Sequence, residues 1–426
     1  MKDTGSAMVE FMADLYPICR SITGNGVRET LHKVNEILPI EIVEVPTGEL
    51  VFDWEIPREW NITDGYIKDP GGNKILDFKK LNLHVLNYSM PVSGHFSLEE
   101  LKKHIHTIPE KPDLVPYRTS YYKENWGFCM SHNQFRTLEE GEYEVLIDSS
   151  LTSGSLTYGE VLIEGKIREE ILISTHICHP SLCNDNLSGI AVSAFLGNML
   201  KSREPHYSYR FIFIPGTIGA ITWLSQNESK LGRIRCGIVT ALLGLGERFT
   251  YKRTRSGDGY IDKVFEFILK KEGVLHDIID FTPYGYDERQ FSSPGINLPV
   301  GSLSRIPYGQ YHEYHTSGDN MDLISGKALT ESFDILDKVI AHLDADRRYL
   351  NLSPKGEPQL GKRGLYDNVG GRNDSQLFQM ALLWVLNFSD GNHSLTDIAI
   401  RSDIAIELII EASEKLAEKG LLKLLN

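Results

Sequence analysis

Four short apolar runs, at residues 171–175, 210–215, 237–243 and 297–303, constrain the fold of this 426-residue chain most. Stretches with helical periodicity, at 187–201, 218–231, 260–271 and 329–343, alternate with them. A strand that is apolar along its whole length is buried on both faces, and helices must supply the cover. The pattern therefore implies an α/β domain with a mostly parallel sheet covered by helices on both faces.

The rest of the chain does not share this texture. Residues 6–38 read as two helices broken at Thr23-Gly24-Asn25-Gly26. Residues 46–140 are rich in Pro, Gly, Trp and Tyr with short β-like runs, and read as an inserted β-rich domain. Residues 144–147 and 160–163 look like paired strands. The implied division is a discontinuous α/β domain over 1–45 and 141–346, the insert over 46–140, and a third domain over 350–426.

That third domain opens on turn-rich sequence, then carries helical patterns at 375–386, 394–401 and 403–419 before a short apolar end. Ser394 with Asp397 marks a helix start and Gly420 a stop. The layout resembles a winged helix, for which DNA binding is the obvious reading. The stretch from Asp403 to Lys423, however, carries Asp403, Glu407, Glu411, Glu414 and Glu418 against Lys415, Lys419 and Lys423. A recognition helix facing phosphates is not net acidic. A structural or protein-contact module, or a self-association element, is expected instead. The chain's net charge of −14 also argues against nucleic acid and anionic membrane surfaces.

No apolar run reaches about 18 residues, so no membrane span is expected. The first 20 residues lack a basic segment followed by an apolar one. Five scattered cysteines do not form a disulfide framework. These readings point to a cytoplasmic protein.

Chemistry concentrates where the first apolar strand ends. Residues 174–189 place His176, His179 and Asp185 after that strand and before a helix, and ligands bind at such strand ends. Imidazole and carboxylate suit zinc. Alone, either histidine could be a hydrogen-bonded structural residue. Cys178 and Cys183 are read as packing residues, because a Cys-x4-Cys spacing is weak as a zinc site. Farther on lie the segments Tyr286-Asp287-Glu288-Arg289-Gln290-Phe291 and His312-Glu313-Tyr314-His315-Thr316-Ser317-Gly318-Asp319.

These motifs resemble the zinc-dependent aminopeptidase family with a co-catalytic metal fold, which also contains glutaminyl cyclases. Asp185-Asn186-Leu187-Ser188-Gly189 is similar to its Asp-Asn-x-Ser-Gly segment, and His315-Thr316-Ser317-Gly318-Asp319 to its His-Thr-x-x-Asp segment. Asp287, Phe291 and Gly295-Ile296 fit a further element. The resemblance covers about residues 144–345. The three-part layout is similar to a bacterial aminopeptidase-like family with an inserted β domain and a C-terminal winged helix, often associated with polysaccharide-biosynthesis gene clusters. What it implies is one zinc ion on His176, Asp185 and His315.

The sequence departs from that family at the acids. Cys178 stands where an Asp orients the first His. Pro215-Gly216-Thr217-Ile218-Gly219 stands where an adjacent acid pair falls, and residues 240–243 offer no carboxylate. A hydrolase needs a base for its water. Glu288, beside Asp287, is the first candidate and Glu247 the second; either could instead pair with a surface cation. His179 could be a fourth ligand or a neighbour that orients one. The expected activity is hydrolysis of an amide bond in a small peptide-like or amino-sugar-linked substrate. Two alternatives are a degenerate aminopeptidase fold that binds without turnover and a ligand-sensing transcription factor, against which the acidic tail counts.

Overall fold

The computed structural model describes residues 3–365 and 375–425. Part of the turn-rich segment expected after residue 348, at 366–374, lies outside them. The chain divides into two compact units, residues 1–263 with 272–336, and residues 264–271 with 337–426.

The larger unit is built on an eight-stranded sheet. In chain order its strands are β1 (Glu41–Pro46), β2 (Ser155–Ile163), β3 (Glu170–His176), β4 (Ser208–Ile214), β5 (Ile234–Thr240), β6 (Phe249–Lys252), β7 (His276–Ile279) and β8 (Val300–Ser304). They lie in the order β1-β2-β4-β3-β5-β8-β6-β7. The centre is parallel, β3 pairing with β4 and β5, and β5 with β8. Antiparallel pairings of β1 with β2, β2 with β4, and β6 with β8 flank it. Every residue of β3, β4 and β8 is buried, as a sheet covered on both faces requires. This is the α/β architecture that the alternating runs imply.

Two N-terminal helices, Thr4–Leu15 and Asn25–Ile37, pack on the helix Ser188–Leu200 that follows β3. Asp3 caps the first of them by accepting from the Ser6 N–H at 2.9 Å. The insert forms a four-stranded antiparallel sheet ordered Lys74–Asp77, Glu59–Lys68, Glu142–Thr152 and Val92–Ser97. Here the expected pairing of 144–147 with 160–163 is corrected. The strand Glu142–Thr152 belongs to the insert's sheet, whereas β2 pairs with β1 and β4. Buried Tyr143, Val145 and Ile147 alternate along Glu142–Thr152 and join the insert's own core, which fixes its partners.

Among its described residues the smaller unit includes the helices Ser375–Phe388, Leu395–Ser402 and Ile406–Glu418. Its three-stranded sheet is ordered Asp390–Ser394, Arg348–Asn351 and Leu422–Leu425. Ser394 and Asp397 form a reciprocal capping box at the second helix. Ile409, Ala412 and Leu416, one face of the third helix, are fully buried in the unit's core.

Candidate metal centre

The site is assembled at the end of β3. His176 is the last residue of that strand and is completely buried. The chain then makes an irregular turn over Cys183–Leu187 before the helix Ser188–Leu200. Asp185 sits in that turn with no exposed surface. One of its oxygens lies 2.8 Å from His176 Nε2 and the other 3.0 Å from His315 Nε2. His179 Nε2 is 4.0 Å from the second oxygen. His176, His179 and Asp185 each offer a ligand atom within 4.8 Å of the others, a grouping that can hold a metal ion. Residues far apart in sequence, and a histidine whose role the sequence left open, are thus brought to one point.

The Asp-Asn-x-Ser-Gly segment has a mechanical function visible in its hydrogen bonds. Asn184 Oδ1 accepts from the Gly244 N–H at 3.0 Å, Asn186 Oδ1 from Leu242 at 3.2 Å and Ser188 Oγ from Leu243 at 2.9 Å. Three polar side chains thereby bind the turn to the main chain just beyond β5. Asp319 completes the clamp: its oxygens accept the N–H groups of Asn184 at 2.6 Å and Asp185 at 3.1 Å, and the Tyr311 hydroxyl at 2.8 Å. Gly189 is required by proximity, because a Cβ there would stand 2.6 Å from the Thr240 carbonyl oxygen. Here the segment after β5 supplies main-chain N–H groups and no carboxylate.

Aromatic rings wall the cluster. Tyr286 stacks on His176 at a centroid distance of 3.7 Å, and its hydroxyl lies 3.4 Å from His179 Nδ1. Gly216 makes this possible, since a Cβ there would meet the Tyr286 ring at 2.0 Å. A tyrosine ring thus occupies the space that Gly216 leaves open. Tyr117, from the insert, stands against both His179 and His315 at 5.1 and 5.2 Å. Its N–H also donates to the His315 carbonyl at 2.8 Å. His315 adopts a left-handed φ of 54° and keeps 34% of its side chain exposed, so the cluster opens on its side. Tyr286 falls in the 286–291 segment that the sequence brings forward, whereas Tyr117 and Arg20 carry no motif or spacing that could flag them. Arg20 is fully buried, and its Nε donates to the His179 carbonyl at 2.9 Å.

Burial pushes His176 down and His179 well down from the usual histidine range, against the opposing pull of Asp185. Burial alone would raise Asp185. The field of His179 and the hydrogen bonds from His176 and His315 outweigh it and hold the carboxyl well below its ordinary value.

The remaining sequence candidates are placed differently. Glu288 is fully buried; one oxygen takes the Lys252 ammonium at 2.8 Å and the other the Tyr286 N–H at 3.0 Å. Asp287 is equally buried, and neither of its side-chain oxygens has a hydrogen-bond partner among the described residues. Burial, reinforced by the Glu288 charge, pushes it well above the carboxylate range. Glu247 is exposed. Cys178 and Cys183 are buried thiols, and burial raises Cys178 to about 12.

Fold and site define an aminopeptidase-like α/β protein with a C-terminal winged helix. The zinc aminopeptidase from Bacillus subtilis superposes on 80% of this chain and 94% of its own, with a TM-score of 0.59 at 13% identity. A peptidase M28 precursor from Shewanella amazonensis does so over 80% and 93%, with a TM-score of 0.53 at 13% identity. At such identities the likeness is one of fold. More particularly, the chain belongs to the family described as domain of unknown function DUF4910, matched over residues 9–346. A winged helix-turn-helix family matches residues 347–424. A Clostridium acetobutylicum protein, named for polysaccharide biosynthesis and an aminopeptidase-like domain, is 51% identical over 99% of this chain and 97% of its own. A crystal structure from that organism, of a candidate peptidase, covers the same shares with a TM-score of 0.92 at 50% identity. No helix among the described residues is long and apolar enough to cross a membrane.

Proposed function

We propose that this protein is a metal-dependent hydrolase of an amide bond in a peptide or amino-sugar-linked substrate, with one zinc ion on His176, Asp185 and His315. The observation that carries this reading is the approach of two imidazole nitrogens to the two oxygens of one buried carboxylate, at 2.8 and 3.0 Å. The donor set fits the ion: nitrogen and carboxylate ligands are those zinc takes, and a buried carboxylate calls for a compensating cation. When bound, zinc would supply Lewis-acid activation of a carbonyl and of water. The residues of the chain do the rest. Asp185 balances the cation's charge, and His179 stands beside it as a further nitrogen donor. Tyr286 fixes the His176 ring and walls off solvent. Glu288 is assigned the proton-accepting role, with Asp287 as its buried neighbour. The relative is named for polysaccharide biosynthesis, which supports a sugar-linked substrate over a simple peptide.

Two observations favour a second reading, a binding protein on the same fold without turnover. Glu288 is already engaged by Lys252, and Gly216-Thr217 provides no acid. A panel of aminoacyl amides and N-acyl amino sugars, assayed with zinc-loaded protein, separates the two. Amide hydrolysis lost in Asp185→Asn and in Glu288→Gln supports the hydrolase; zinc uptake with no turnover on any substrate supports the binding protein.

A further inference from the structure

A cleft of about 210 Å³ adjoins the metal-facing residues and shares Gly216 and Tyr286 with them. Four aromatic rings line it, those of Trp54, Tyr121, Tyr122 and Tyr286. Trp54 and Tyr122 pair at a centroid distance of 5.3 Å, yet remain 43% and 50% exposed. Two large rings left open to water at the mouth of a cleft are faces without an occupant. The volume lies below the roughly 300–1,000 Å³ of a drug-sized site and suits a single ring.

The same cleft has one cation. Arg289 lines it, donates only Nε to the Tyr286 carbonyl at 3.3 Å, and pairs with no carboxylate among the described residues. Thr217 and Ile218, also in the lining, begin the helix Ile218–Asn227, whose start has no side-chain cap and no acidic residue in its first turn. A guanidinium with no ion-pair partner among the described residues, beside a helix start with no acidic residue in its first turn, favours an anionic group, and the guanidinium can grip a carboxylate or phosphate with two parallel bonds. Aromatic faces take the apolar face of a ring whose rim is polar.

We propose that this cleft binds a sugar ring bearing an anionic group, the ring on Trp54 and Tyr122 and the anion on Arg289. The inference rests on the hydrolase reading only in placing the bond to be cut beside this subsite; the binding itself needs no metal.

The test titrates the full-length protein, in chelator, with glucuronic acid, glucose 1-phosphate, glucose and phenylalanine amide, followed by ligand-observed NMR. Both anionic sugars, or one of them, should bind at least tenfold more tightly than glucose. Preference for glucuronic acid identifies a carboxylate as the anion, and preference for glucose 1-phosphate a phosphate. Arg289→Gln should abolish the anion's advantage, Arg289→Lys should retain part of it, and Trp54→Ala should weaken both anionic sugars tenfold or more. Equal binding of glucose and the anionic sugars, preference for phenylalanine amide, or indifference to both Arg289→Gln and Trp54→Ala would overturn the proposal. Because chelator is present, failure here leaves the metal reading standing. A protein that takes up no zinc but binds anionic sugars fails only the other reading.

Discussion

Replacing Asp287 by Asn should stabilise the larger unit at neutral pH. The side chain is fully buried, and neither oxygen has a hydrogen-bond partner among the described residues. An unsatisfied buried polar group costs about 1–3 kcal/mol, and more when charged. Asn has nearly the same shape and also lacks partners, but it cannot ionise. The gain is therefore the cost of charging Asp287 or holding its proton. With the folded value well above the unfolded one near 3.8, the folded state keeps a proton that the unfolded state releases as pH rises. Wild-type stability thus falls relative to Asp287→Asn above about pH 4. At pH 8 the variant should gain about 1–3 kcal/mol, a rise of a few degrees in Tm. The gap should narrow steadily toward pH 5. Differential scanning calorimetry across that range reads it directly. A variant less stable than wild type at pH 8, or a gap that does not change with pH, would refute the reasoning. Loss of hydrolysis with no change in stability would instead place Asp287 among the reacting groups.

Further expectations concern other parts of the chain. Asp185→Asn should weaken zinc binding by ten- to a hundredfold or more, and far more than His179→Ala, measured by competition with a chromophoric chelator. The reverse order would assign the ion to the His176–His179 pair. Arg20→Met should release the His179 carbonyl and broaden or shift the His179 ring resonances while the fold is retained; unchanged resonances would remove Arg20 from the site. In the smaller unit, burial and then the Lys271 charge push His342 down to about 4. Its folded value lies below the unfolded one near 6.5, so the stability of this unit is intact above pH 6.5 and is lost as pH falls toward 4. The loss amounts to about 3 kcal/mol at most. Hydrogen exchange in the helix Leu395–Ser402 should report that loss, and His342→Gln should flatten it. The full chain should show no nanomolar, salt-sensitive binding to duplex DNA in an electrophoretic assay, because its last helix is acidic.

Much of the architecture is legible in the sequence because it depends on local periodicity. The fully apolar β3 and β4 announce a doubly covered sheet, and Ser394 with Asp397 announces a helix start that the capping box realises. Pairing between distant strands is less legible. Glu142–Thr152 and β2 are neighbours in sequence, yet each pairs elsewhere, because alternation fixes a strand's faces but not its partner. At the site, His176, Asp185 and His315 stand out through motif and position. The stacking of Tyr286 on His176 does not, since it depends on the space left by Gly216, a packing relation between residues 70 apart in sequence numbering. Arg20 and Tyr117 reach the cluster only through tertiary folding.

Metal content tests the assignment of this centre most directly. Protein purified without chelator, analysed by inductively coupled plasma mass spectrometry, should carry about one divalent transition metal ion per chain. The double variant His176→Ala and His315→Ala should carry none, with its circular dichroism unchanged. Wild-type protein that holds no metal, and takes up none when zinc is added, would contradict the assignment of His176, Asp185 and His315.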